Sequence, residues 1–484
     1  MAAGKRTTLG VVLAVCVALL GACTGARLPE NKSVAAGDRS RTTTTEGEGA
    51  TASGPSTTTG DGTDPFAGAS GSTVPKVGRA GGTGGGTTPA GGAVRSTLFS
   101  AKEDTIGITK TSINLCAHAA LTYGAAFNTS ADDLNVYWSA INDAGGIYGR
   151  KVTVTYENDN YSPDTAVQAA TACKGKGIFF LIGGIGFDQI PAVRNWAETN
   201  HMLYLHHTAT VQGTANQHYS FTGLPSTEKM GEMFGELVAS RYKGKKVGII
   251  KRNSPNWEPG VTAFKAIAKK YGVDVVAERA VQNNQGSYTQ EILDMQRAGA
   301  DVVWVWENAL ASTQIVKQAK AQAYNPQFLL FPFNLTSQTL GQDALNPKMV
   351  GVAMYPAYSK GDYSGSFAPY ADDIKEFEAQ YFKYRPNAPL KGVGGDLLFL
   401  NWTGQKGLAE LLKACGPDCT RNRLVDVLTS YKATKPFPSS CNVDFTRPGF
   451  PRMGGSAVNI METYRNADGV VNWRNTDTCV EHLL

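Results

Sequence analysis

The sequence predicts an α/β protein of two successive doubly wound lobes, and three observations carry that prediction. Short apolar runs alternate with amphipathic segments from residue 246 to 333, the same alternation fills 106 to 206, and no long linker parts the two stretches. Strands buried on both faces and separated by helices make a parallel sheet with right-handed crossovers.

In the first stretch the run IGIT (106–109) predicts the opening strand. It is followed by a helix from about 131 to 143, strand VTVTY (152–156), a helix over 164–174, strand IFFLI (178–182), a helix over about 188–200 and strand MLYLH (202–206). The second stretch has strands VGII (247–250), VDVVAE (273–278), DVVWVW (301–306) and FLLF (328–331). Spacings of three and four give the intervening helices: Val261, Phe264, Ile267, Ala268 and Tyr271 share one face, Tyr288, Ile292 and Met295 another, and Val316, Ala319 and Ala323 a third. Open α/β sheets bind ligands at the carboxyl ends of their strands, so the cleft between the lobes is the predicted site.

Residues 1–22 read as a secretory signal: Lys5 and Arg6 precede an apolar run over 9–20 that is too short to span a bilayer as a mature helix. Leu20-Gly21-Ala22-Cys23 resembles the lipobox of bacterial lipoproteins, which implies lipidation at Cys23 and a chain exported and tethered to the cell membrane. Residues 23–103 are mostly Gly, Thr, Ser, Ala and Pro, too poor in apolar area to offset their ordering entropy, and are predicted to form a disordered tether reaching about 50 Å.

A net charge of +5 over 484 residues, with no basic stripe, gives no reason to invoke nucleic acid. Beyond Cys16 and Cys23 remain Cys116, Cys173, Cys415, Cys419, Cys441 and Cys479, an even number suited to an oxidising compartment. The favoured disulfides are Cys116 with Cys173, Cys415 with Cys419 and Cys441 with Cys479. A zinc site, the alternative, would call for a CxxC pair or a His-x-x-x-His that the sequence lacks. No HExxH, GxSxG or GxxxxGK[ST] occurs, and Gly361-Asp362-Tyr363-Ser364-Gly365 has its serine one place late. Adjacent His206 and His207 point to opposite faces of a strand and cannot chelate one metal. These features argue against an enzyme and against any cofactor.

The segment FFLIGGIGFDQI (179–190) resembles a phosphate-cradling strand, glycine turn and helix. The dinucleotide fingerprint, however, needs its glycines at the first strand of the unit and a carboxylate about twenty residues on, and here they follow a third strand. Another pattern, Ile141-Asn142-Asp143-Ala144-Gly145-Gly146-Ile147-Tyr148-Gly149-Arg150-Lys151-Val152, resembles the signature of type I periplasmic binding proteins, in particular the branched-chain amino acid and amide group of ABC transporter solute-binding lipoproteins. Further marks are the turn at 183–186, Thr208-Ala209-Thr210, Gly351-Val352 and Cys415-Gly416-Pro417-Asp418 before a helix. The resemblance implies two Rossmann-like lobes joined by a three-crossing hinge, a Venus flytrap, with lobe 1 over 104–223, lobe 2 over 224–353, a return to lobe 1 over 354–445 and a C-terminal segment of lobe 2 over 446–484.

The resemblance also implies a site. The glycine turn with Gly186 and the segment Thr208, Ala209 and Thr210 would form one wall, using backbone N–H and hydroxyl groups as a helix N-terminus uses them on phosphate. Tyr123 would supply an aromatic contact and Trp257 a cover from the second lobe. Two departures stand out: Phe187 occupies the position of a carboxylate-binding serine, and Phe333, beside Asn334, that of the acid that grips an α-ammonium. Glu307 offers a carboxylate nearby, and Asp188 either a ligand contact or a helix cap. Half of the usual zwitterion clamp is therefore missing, which suits a larger or less charged solute. The implied protein is a monomer, anchored by lipid outside the cytoplasm, that captures a small solute by hinge closure and presents it to an ABC permease and its ATPase. A ligand sensor on the same fold and an exported α/β hydrolase are the alternatives.

Overall fold

The computed structural model describes residues 96–122, 130–184, 186–207, 211–388, 390, 393–433, 441–450 and 452–484. The signal segment and Cys23 lie outside them. Five parallel strands, β1 (Ser112–Ala119), β2 (Lys151–Asn158), β3 (Leu181–Gly183), β4 (Tyr204–His206) and β5 (Ser220–Thr222), form a sheet in the order β2-β1-β3-β4-β5. The order reverses at β1, which marks a doubly wound sheet.

Two short strands, β11 (Lys432–Ala433) and β12 (Val443–Asp444), pair antiparallel by themselves, and a second large sheet has the order β14-β13-β10-β9-β8-β6-β7. Its parallel part comprises β6 (Val247–Arg252), β7 (Val275–Val281), β8 (Val302–Trp306), β9 (Gln327–Leu330) and β10 (Val350–Ala353). Antiparallel β13 (Val458–Arg465) and β14 (Val471–Val480) extend it. Between β10 and β13 the chain returns to the first sheet. There Gln405 donates to Leu134 O at 2.6 Å, Arg385 to Asp133 at 2.8 Å and Arg421 to Phe179 O at 2.7 Å. The lobes are thus connected three times, after β5, after β10 and before β13. Disulfides join Cys116 to Cys173, Cys415 to Cys419 and Cys441 to Cys479.

Three sequence expectations are corrected. Residues 106–109 are not a strand: Gly107 has φ +80°, and a Cβ there would lie 2.0 Å from Phe179 N, so the chain turns and only Ile108 bridges to Ile113. The opening strand is β1, whose Asn114, Cys116 and His118 break the apolar run that the eye follows. The run at 178–182 pairs only from Leu181, because the Arg421 guanidinium takes the carbonyls of Ile178 and Phe179 at 2.6 and 2.7 Å. Tyr271 and Ala323 both fall beyond their helices, exposed, and Ala323 has φ +55°.

Of the segment predicted to be a disordered tether, residues 23–95 lie outside the described residues, and 96–103 are packed on the body, which corrects the boundary at 103. Ser96 N donates to Asp426 and Phe99 N to Asn422, while the Phe99 ring packs 5.3 Å from Tyr219 and under the Arg421 guanidinium. Two apolar residues, Leu98 and Phe99, suffice to fix this stretch to the Arg421–Ser430 helix.

Candidate functional site

Strand ends converge between the sheets. Ala117 to Ala120 end β1, Ile182 to Gly184 end β3, and His207 follows β4; together with Leu134, Tyr156, Leu397, Leu400 and Asn401 they line a cavity of about 80 Å³. A second, of about 50 Å³, lies against lobe 2 and is walled by Phe187, Trp257, Phe331, Phe333, Tyr355, Glu307 and Asn308, which follow β3, β6, β8, β9 and β10. The two share His207, Leu397 and Leu400.

The aromatic wall is continuous. Phe187, from lobe 1, packs 4.6 Å from Trp257, 5.5 Å from Trp306 and 5.9 Å from Phe331. Trp306 stacks on Phe331 at 5.1 Å, and Phe331 on Phe333 at 5.9 Å. Phe187 thereby fills part of the gap that a small polar side chain would leave open, and it is only 7% exposed.

Asp188 makes no side-chain cap of the Gln189–Asn200 helix. Its carboxylate reaches across the cleft instead, accepting from the Ser254 hydroxyl at 2.5 Å, the Asn256 amide at 3.1 Å and the Trp257 indole N–H at 3.2 Å, with the Arg252 guanidinium 3.6 Å away. Arg252 in turn grips Glu307 with two hydrogen bonds of 2.6 Å. Asn308 N–H donates to the same carboxylate at 2.5 Å. Burial pushes the Glu307 carboxyl up, against the opposing pull of Arg252. Glu307 is the one carboxylate among the described lining residues, and both of its oxygens are engaged; it is not placed to take an ammonium without giving up Arg252.

Asn334 is likewise committed. Its N–H donates to Asp396 at 2.9 Å, its amide to Tyr358 O at 3.0 Å, and its carbonyl accepts from Trp473 N at 3.4 Å. Gly186 abuts Gln189, whose Oε1 would lie 1.6 Å from a Cβ at that position. Tyr123, Thr208, Ala209 and Thr210 lie outside the described residues. The sequence-predicted residues that come together around the cavity are therefore Phe187, Trp257, Glu307 and Phe333, with Asp188 bridging behind them.

Sequence reasoning missed the lobe 1 floor. His118 is buried, its Nδ1 2.8 Å from Asp159 and its Nε2 2.7 Å from the Tyr204 hydroxyl. Gly183 and Gly184 lie against its ring, where a Cβ would come within 2.6 and 2.5 Å, so the glycine turn makes room for an imidazole as well as turning the chain. His207 Nδ1 meets Gly184 O at 2.6 Å, and burial holds this imidazole below its ordinary pKa. Among the described residues no cluster of His, Cys, Asp and Glu is arranged to hold a metal. The rule that ligands gather at strand carboxyl ends would have found His118 had β1 been placed correctly.

A family model for "Periplasmic binding protein" matches residues 122–455. The Leu/Ile/Val-binding protein homolog 1 of Brucella abortus is 23% identical over 362 residues, covering 72% of this chain and 89% of the relative. Among solved structures, a fatty acid ABC transporter substrate-binding protein from Thermomonospora curvata superposes with a TM-score of 0.63 at 15% identity, covering 78% of this chain and 94% of the other. A solute binding protein of an ABC transporter from Rhodopseudomonas palustris, in complex with 3,4-dihydroxy benzoic acid, gives 0.61 at 18% identity, with coverages of 77% and 99%. The family is one of solute-binding proteins of ABC transporters, which hold their solutes without transforming them. A two-lobed α/β body joined by three crossings, a walled space at the facing strand ends and a family match over most of the chain lead to one assignment: this chain belongs to the type I periplasmic binding proteins.

Proposed function

We propose that the chain is a lipid-anchored, extracytoplasmic solute-binding component of an ABC importer that takes an amphipathic organic acid or amide in preference to an α-amino acid. The observation that carries this is the aromatic wall of Phe187, Trp257, Phe331 and Phe333 combined with a Glu307 already committed to Arg252. A zwitterion would leave its ammonium desolvated and unpaired there, which costs several kcal/mol. Solved structures of this fold carry titles that name a fatty acid, 3,4-dihydroxy benzoic acid and isoleucine, so the preference rests on the wall and on Glu307. Closure brings Asp188 to Ser254, Asn256 and Trp257, and the closed monomer, held near the membrane through Cys23, is what a permease and its ATPase engage. In this reading lobe 1 spans 104–223 and 354–445, and lobe 2 spans 224–353 and 446–484.

A thermal-shift screen over amino acids, amides, ureas, aromatic acids and alkyl carboxylates tests it. A solute at 100 times its Kd adds about 2.7 kcal/mol of stability. Stabilisation by organic acids but not by leucine is the expected outcome; stabilisation by leucine alone overturns the preference. A second reading, a flytrap that senses ligand or has lost it, is favoured by the packing of Phe187 into the gap. It predicts no shift with any solute.

A further inference from the structure

A third cavity, of about 40 Å³, lies deeper in lobe 1 and shares Ala117, Tyr156, Ile182, His207 and Asn401 with the first. Its remaining walls are Leu205, His206, Gly404, Gln405 and Leu408. His207 borders all three cavities. On the Val393–Cys415 helix the lining positions of the three are 397, 400, 401, 404, 405 and 408. These steps of three, one, three, one and three trace a single helical face. At 1.5 Å per residue the face is about 16 Å long. Opposite it stand Ala117, Ile182 and Leu205, from the adjacent strands β1, β3 and β4.

The geometry points to an acyl channel: a run of cavities with shared walls between the first sheet and the Val393–Cys415 helix that takes the hydrocarbon tail of a solute whose polar head stays in the aromatic space between the lobes. This rests on the reading above that the interlobe space is a solute site, and goes beyond it by fixing the shape of the solute. The three cavities follow one another along the helix face through shared walls, an elongated arrangement that suits a flexible chain. Beside the inner run the Gln405 amide N–H donates to Leu134 O and to the Tyr156 hydroxyl, at 2.6 and 2.9 Å, and the Asn401 amide to Leu134 O at 3.0 Å, while the Gln405 side-chain oxygen is buried without a hydrogen-bond partner among the described residues and His206 adds a buried imidazole. An apolar tail passing them breaks none of these bonds.

The test is a series of straight-chain carboxylates from butanoate to hexadecanoate, with 4-hydroxybenzoate and leucine alongside, titrated calorimetrically against the folded mature protein. Affinity should rise about fourfold per added methylene, from about 0.8 kcal/mol per buried CH₂, until the run is filled, and then level off. Ala117→Leu, which narrows the channel where the inner cavities meet, should move that break to shorter chains, and Leu408→Phe, at the far end, should move it by less. Should Ala117→Leu fail to fold, the Leu408→Phe shift alone decides. Affinity independent of chain length while 4-hydroxybenzoate or leucine binds, or a break left in place by both variants, overturns the channel and leaves the interlobe site standing. If no compound in the series binds, the interlobe reading itself falls, and the channel with it.

Discussion

Replacing Asp188 by alanine should open the protein. One carboxylate, with a side chain 21% exposed, holds three donors of the opposite lobe within 3.2 Å and a guanidinium at 3.6 Å. A hydrogen bond to a charged group contributes about 1.5–3 kcal/mol net, and bonds that share one acceptor do not add. The clasp is therefore worth about 3 kcal/mol, or roughly 150-fold in the ratio of closed to open forms. Arg252 keeps its two bonds to Glu307, so the substitution leaves no buried charge stranded within lobe 2. The assay is small-angle scattering of the solute-free protein, together with the Kd of any solute found by thermal shift. Asp188→Ala should enlarge the radius of gyration and weaken the solute by up to the same factor. An unchanged radius with Kd within twofold of the original would refute the idea that this carboxylate ties the lobes together.

Trp257→Ala removes both the cover of the interlobe cavity and a donor to Asp188, and should weaken solute binding by about 2 kcal/mol or more, some thirtyfold, in a fluorescence or calorimetric titration. Burial pushes the Asp396 carboxyl up to about 7, above its ordinary 3.8, so the fold favours its neutral form. Its contribution to stability is then fully present below about pH 4 and is lost as pH rises to about 7, by at most about 4 kcal/mol. Urea unfolding of Asp396→Asn, which keeps an acceptor for Asn334 N–H, should accordingly gain on the unaltered protein between pH 5 and pH 7.5, and a constant difference would speak against it. Removing Cys116–Cys173, which closes a loop of sequence separation 57, by a double alanine substitution should cost about 4 kcal/mol on chain-entropy grounds, read from the denaturation midpoint.

Much of the second lobe was legible because its strands are short, continuous and β-branched, and its helices keep their apolar faces: Tyr288, Ile292 and Met295 are all buried. The first strand was not, because a strand lined by Asn114, Cys116 and His118 lacks the apolar run that periodicity detects. That error hid His118 and the floor of the site. The resemblance singled out Phe187, Trp257 and Phe333, with Glu307 nearby, and these four line one cavity, but the pairing of Glu307 with Arg252 was not legible, since the two are 55 residues apart and meet only when β6 and β8 pair side by side. For Asp188 local spacing offers a helix cap or a ligand contact, and neither shows the donors 66 to 69 residues away that its carboxylate meets instead.

The anchoring of Ser96 and Phe99 to the Arg421–Ser430 helix has a mechanical corollary. At Ser96 and Phe99 the described chain is fastened to the half that holds β1 to β5, so a force reaching Ser96 from the N-terminal side is passed first to that half. The half built on β6 to β10 makes no described contact with Ser96 or Phe99 through these bonds, so its position need not change the way the chain enters.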